Sequence, residues 1–122
     1  MLPRRRKKER MGVRPKRRKE CPAHVRWVKR TFDCSIAGKH QCDGPIDPHH
    51  LTSGEGVDRV AFGRSSDMWV VPLCRKAHDE GGTKGWKSFE ARYKVDLTKI
   101  AADLWRTSPH GIKWRREHDK PE

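Results

Sequence analysis

Two short segments set the terms on which this chain can fold. Asp47-Pro48-His49-His50-Leu51 reads as an extended strand. Val71-Pro72-Leu73-Cys74-Arg75-Lys76-Ala77-His78 is an apolar strand that runs directly into a Cys-x3-His helix start. Neighbouring residues on a strand point to opposite faces, so His49 and His50 serve different surroundings. Cys74 and His78, four apart, share one face once a helix begins. The spacing therefore predicts strand, loop, strand, helix, with imidazoles and a thiol gathered at the junctions.

Such a unit needs more than apolar burial to hold it. Only 33% of the 122 residues are hydrophobic and 37% are charged, so the core is thin. Chains this poor in apolar residues usually carry a staple, a metal or disulfides. With histidines nearby and a reducing compartment expected, the four cysteines read better as metal ligands than as two disulfides. No apolar run approaches the length of a membrane span, and the N-terminus lacks the apolar stretch of a signal peptide. The expectation is a soluble cytoplasmic protein with no membrane partner.

The charge is unevenly placed. Of the net +13, residues 1–20 contribute +9, from eleven Lys/Arg against two Glu. Two prolines and almost no apolar content make this stretch a disordered arm until it meets phosphate. Arg4, Arg5, Arg6, Lys7, Lys8, Lys16, Arg17, Arg18 and Lys19 are its expected nucleic-acid contacts, with DNA the first expectation and RNA the other. A folded domain should span residues 21–110, and a polar tail 111–122. Within the domain, Pro22 suits the first turn of a helix of about ten residues. Residues 33–46 read as a loop, 46–52 and 68–73 as strands, and 53–66 as a Gly-rich connection. The helix starting near Cys74 should end at Gly81-Gly82. Trp86–Tyr93 suggests another helix, and Leu97–Trp105 an amphipathic one. Asp67 is either a plain turn residue or a pin for the loop. The aromatic residues at helical spacing read as core, whereas Trp114, between Lys113 and Arg115, is a candidate base-stacking platform.

Taken together, Cys34, Cys42-Asp43-Gly44-Pro45-Ile46, His49-His50-Leu51, Ser66-Asp67, Pro72-Leu73-Cys74, His78-Asp79-Glu80, Phe89-Glu90 and Tyr93 resemble the HNH (ββα-metal) endonuclease superfamily. The likeness is to the phage and bacterial nucleases related to recombination-enhancement proteins, over about residues 21 to 110. It implies an α+β fold with a ββα-metal (HNH, His-Me finger) core, a zinc-stapled loop and flanking helices. It implies His50 as general base, with His49 and His78 binding a catalytic divalent ion (Mg2+, Mn2+ or Zn2+). It implies a structural zinc on Cys34, Cys42 and Cys74. The chain departs from the pattern at Ala77, where a zinc ligand is usual, and at Gly82, where a further metal-binding His is common. His40 is the first substitute at the zinc, with Cys21 or His24 behind it. Asp47, Asp79, Glu80 or waters can fill the catalytic ion.

The chemistry agrees with these roles on its own terms. Phosphodiester hydrolysis needs a base to take a proton from water and a metal to stabilise the phosphate and leaving oxygen. Imidazole, with an ordinary pKa of about 6.5, suits that base. The expected function is a metal-dependent DNA endonuclease. The alternative is a zinc-stabilised nucleic-acid-binding module without catalysis, and a third reading, an RNA-binding accessory protein, leaves His50 without a role.

Overall fold

The computed structural model describes residues 19–54, 56–58 and 65–118. The arm positions Arg4, Arg5, Arg6, Lys7, Lys8, Lys16, Arg17 and Arg18 lie outside the described residues. The elements are α1 (Pro22–Thr31), β1 (Ile46–His50), β2 (Val70–Cys74), α2 (Arg75–Lys84), α3 (Trp86–Tyr93), α4 (Leu97–Thr107) and α5 (Pro109–His118). The fold is α+β, with a two-stranded antiparallel sheet among helices.

The sheet is a hairpin in which Ile46 pairs with Cys74 and His50 with Val70. Pro48 faces Pro72 at its centre, so neither strand has a donor there. The Pro72 carbonyl is satisfied from outside, by the N–H and the hydroxyl of Ser35, each at 2.8 Å. That pair of bonds ties the loop after α1 to the sheet. β2 is buried along its whole length, because α1, α2 and α4 all pack on it. Ile36, Leu51, Val71, Leu73, Ala77, Phe89, Leu97 and Ala101 form the core around it. Each fully buried Leu, Ile, Val or Phe stabilises the fold by roughly 1.5–3 kcal/mol.

Local signals explain the helix starts. Pro22 occupies the first turn of α1, where its missing N–H costs nothing, and the helix buries His24 and Val28. Asp96 caps α4 by accepting from the Lys99 N–H at 3.1 Å, and Leu97, Ala101 and Trp105 form its buried stripe.

Three expectations are corrected. α2 does not stop at Gly81-Gly82 but continues to Lys84, with Gly85 as its C-cap. A Cβ on Gly81 would lie 2.0 Å from the Trp86 ring, so glycine here admits the indole against the helix. The tail expected from residue 111 is instead largely helical. Buried Ser108 starts α5 by accepting from the N–H groups of His110 (3.2 Å) and Gly111 (3.1 Å). The arm's last two residues also belong to the fold. The Lys19 N–H donates to Ser66 Oγ at 2.7 Å, and Trp114 Nε1 donates to the Glu20 carbonyl at 3.1 Å.

Candidate metal and catalytic site

The sulfur atoms of Cys34, Cys42 and Cys74 all lie within 4.8 Å of one another. Three separate elements bring them there: the turn after α1, the loop before β1, and the β2–α2 junction. Gly44, at φ +88°, lets that loop pass so close to α2 that a Cβ would lie 2.7 Å from the Arg75 Cβ. The carbonyls of Pro45 and Asp43 then accept from the first helical N–H groups, at Arg75 (2.8 Å) and Lys76 (3.1 Å). Cys74 is the N-cap of α2, and its sulfur accepts from the Ala77 N–H at 3.3 Å. Ala77 thus contributes its backbone to the sulfur while its methyl group fills the core.

The three thiols do not share protons equally. Cys42 is pushed up to about 12 by lost hydration and by the neighbouring thiols of Cys74 and Cys34. Burial also opposes ionisation of Cys74, but the N–H groups of Ala77 and Asp43 and the two thiols outweigh it, and its pKa falls below the ordinary value. A site that eases ionisation of one thiol and crowds two more sulfurs around it suits a thiophilic cation such as zinc. His40 does not join the sulfurs. Its Nε2 faces Glu80 at 3.4 Å, and its ring meets Tyr93 edge-on. Cys21 is elsewhere too, at the N-cap of α1. A cleft of about 310 Å3 beside the sulfurs is lined by Asp33 and Asp43, but among the described residues no carboxylate joins the three sulfurs within 4.8 Å.

On the other side of the hairpin, Asp47 and His49 are two apart on β1 and share a face. That face meets the first turn of α2. The His49 and His78 ring centroids are 4.9 Å apart, and His78 Nδ1 lies 3.2 Å from Asp47 Oδ2. Arg75 donates to both Asp47 oxygens, at 2.6 and 3.0 Å. The Arg75 guanidinium, with His78 behind it, holds the Asp47 carboxyl below its usual range. His49 is buried, and its Nε2 has no hydrogen-bond partner. Burial, helped by the charges of His78 and His50, pushes its pKa down to about 4. A neutral imidazole with an unsatisfied nitrogen is the form that binds a metal.

His50 points the opposite way, as strand alternation requires. Its Nε2 lies 2.8 Å from Asp67 Oδ1, while Asp67 Oδ2 accepts from the Cys21 N–H at 2.8 Å. One carboxylate therefore locks the imidazole ring to the start of α1. Of the carboxylates expected near a catalytic ion, Asp79 is exposed and Glu80 is engaged by Tyr93, Arg92 and His40. Gly82 itself faces open space. Asp47 is the carboxylate that contacts His78 and shares a strand face with His49.

Two residues of the site were not assigned to it from the sequence. Trp86 stacks on His49, centroids 4.1 Å apart, and fixes that ring's plane. Its signal was Gly81, which marks a close approach, but the partner cannot be read from spacing. From the sequence Asp67 is only a turn residue or loop pin; its bond to His50 spans 17 positions and has no local signature. Trp114, the stacking candidate, lies face to face with His118 at 3.9 Å and sits under Lys19.

The chain belongs to a family described as DUF968, proteins of unknown function, whose model matches residues 9–108. It is 35% identical over 99 residues to the uncharacterized protein YdfU of Escherichia coli strain K12. That match covers 80% of this chain but only 26% of YdfU, so the chain corresponds to about a quarter of that relative. No solved structure matches it significantly. No helix among the described residues is long and apolar enough to cross a membrane.

Proposed function

We propose that this domain is a metal-dependent endonuclease with a ββα-metal core, hydrolysing DNA phosphodiester bonds. The observation that carries the reading is the meeting of Asp47, His49 and His78 on one face of the hairpin, with His49 Nε2 buried and unpartnered. When bound, a divalent ion on His49 and His78 supplies charge stabilisation to the phosphate and the leaving oxygen. Asp47, by accepting from His78 Nδ1, orients that ring and leaves its Nε2 for the ion. Trp86 keeps the His49 ring in place and water away from it.

His50 is the general base. With Asp67 holding Nε2–H, the lone pair on Nδ1 takes the proton from the attacking water, and the carboxylate stabilises the imidazolium that forms. Asp67 is thus a positioning residue. The cysteine cluster carries a structural zinc that anchors the start of α2, and with it His78. The basic arm adds affinity for the DNA backbone.

A supercoiled-plasmid nicking assay with and without Mg2+, Mn2+ or Zn2+ tests the reading. Ion-dependent nicking is expected, lost in His50→Ala and His49→Ala, while the His50→Ala gel shift on DNA stays near wild type. Unchanged nicking in His50→Ala would sink the assignment. The second reading, a zinc-stabilised nucleic-acid-binding module without catalysis, is favoured by the open space at Gly82 and by the closure of His50 on Asp67. It predicts zinc and DNA binding with no nicking under any of the three ions.

A further inference from the structure

We propose that the cleft between α1 and α5 binds single-stranded nucleic acid, seating a base at Trp27 and the neighbouring phosphates on Arg26 and Arg30. The cleft holds about 250 Å3 and is lined by Arg26, Trp27, Arg30, Thr31 and His110, with no carboxylate among its lining residues. Arg26 and Arg30 lie one helical turn apart, both exposed. Of the five other arginines among the described residues, four are engaged: Arg75 by Asp47, Arg92 by Glu80, Arg106 by Asp103, and Arg115 by the Trp105 and Arg106 carbonyls. Among the described residues, neither Arg26 nor Arg30 is paired with a carboxylate. Two free positive charges at this spacing repel each other, and a polyanion relieves that repulsion.

Trp27 turns a basic surface into a site for a base. Its ring is half-buried and held by Phe32 edge-on at 4.9 Å and by His24 at 5.8 Å. An indole already fixed in place loses little freedom on binding. A base can reach it only when unstacked, which selects single strands over duplex. A chain of contacts links the cleft to His50. Cys21 donates its N–H to Asp67, the partner of His50, and its sulfur lies 3.9 Å from the His110 carbonyl.

The inference rests on the nucleic-acid reading of the domain but not on catalysis. Binding is therefore measured without divalent ions, so a loss of binding here and a loss of nicking in His50→Ala are separate results. The experiment is fluorescence anisotropy of the full chain with labelled oligothymidine and with a hairpin duplex, across a salt series. In Arg26→Ala/Arg30→Ala the logarithmic salt slope for oligothymidine should flatten by about 1.4, roughly 0.7 for each lost phosphate contact. Trp27→Ala should weaken oligothymidine binding about ten-fold or more, and Trp27→Phe should keep most of the affinity. Duplex binding should change much less in all three. Because Trp27 also packs on its neighbours, the paired arginine variant decides the matter if Trp27→Ala fails to fold. Wild-type affinity and slope in that variant overturn the proposal. So does an equal loss on duplex, which would mark a general electrostatic surface. Tighter binding of polyglutamate than of oligothymidine would assign the cleft to an acidic protein instead.

Discussion

Gly81 and Gly82 are adjacent in one helix, yet replacing each by alanine should move stability in opposite directions. Gly82 has nothing within 4 Å of its would-be Cβ. Gly82→Ala should therefore show the plain helix gain, about 0.8–1.0 kcal/mol. For a folded unit of this size that is a rise in Tm of roughly 4–8 °C. Gly81→Ala has the same intrinsic gain, but its Cβ would meet Trp86 ring atoms at 2.0, 2.3 and 2.4 Å. The indole cannot simply step aside, since it stacks on His49 at 4.1 Å and meets Phe89 at 5.2 Å. Overpacking of this kind costs about 1–3 kcal/mol, and displacing an indole falls at the upper end. The net expectation is a loss of about 1–2 kcal/mol, so the two variants should differ by roughly 2–3 kcal/mol. Urea unfolding measures this as opposite shifts of the midpoint at unchanged slope. Midpoints that move the same way would refute both the continuation of α2 and the seat of Trp86 against it.

Three further outcomes are expected. Purified protein should carry about one tightly bound zinc per chain, and Cys74→Ser or a chelator should lower the Tm sharply; absence of zinc and a melting curve indifferent to chelator would remove the staple. His24 is buried between Trp27 and Trp105, and burial pushes its pKa from 6.5 down to about 4. The unfolded chain therefore protonates first. The stability of the neutral ring is complete above pH 6.5 and lost as pH falls toward 4, by roughly 3 kcal/mol; urea midpoints of His24→Phe should fall clearly less than wild type over that range, the remaining drop coming from His49 and other groups, and a drop as steep as wild type would count against the neutral buried ring. Deleting residues 1–18, while keeping Lys19 and Glu20 that bond into the fold, should leave the Tm and zinc content unchanged and flatten the salt dependence of DNA binding by nearly one unit per lost phosphate contact; an unchanged slope would give the arm another role.

Periodicity and local chemistry made much of this protein legible from its sequence. Pro22 starting a helix, the opposed faces of His49 and His50, and the shared stripe of Leu97, Ala101 and Trp105 all follow from rules acting over a few residues. The cysteines as a group of metal-ligand candidates were legible too, because a chain with so little apolar surface needs a staple. Tertiary structure decided which partners those residues met. His40 turned to Glu80 and Tyr93 although it is only two positions from Cys42, because α2 and α3 packed their acid and phenol against it. Asp67 reached His50 across a loop, Trp86 filled the space left by Gly81, and Ser108 began a helix in an apparently polar tail. Such contacts carry no sequence period. They arise when elements dock, and each is set by the shape and hydrogen-bonding needs of a residue far away in the chain.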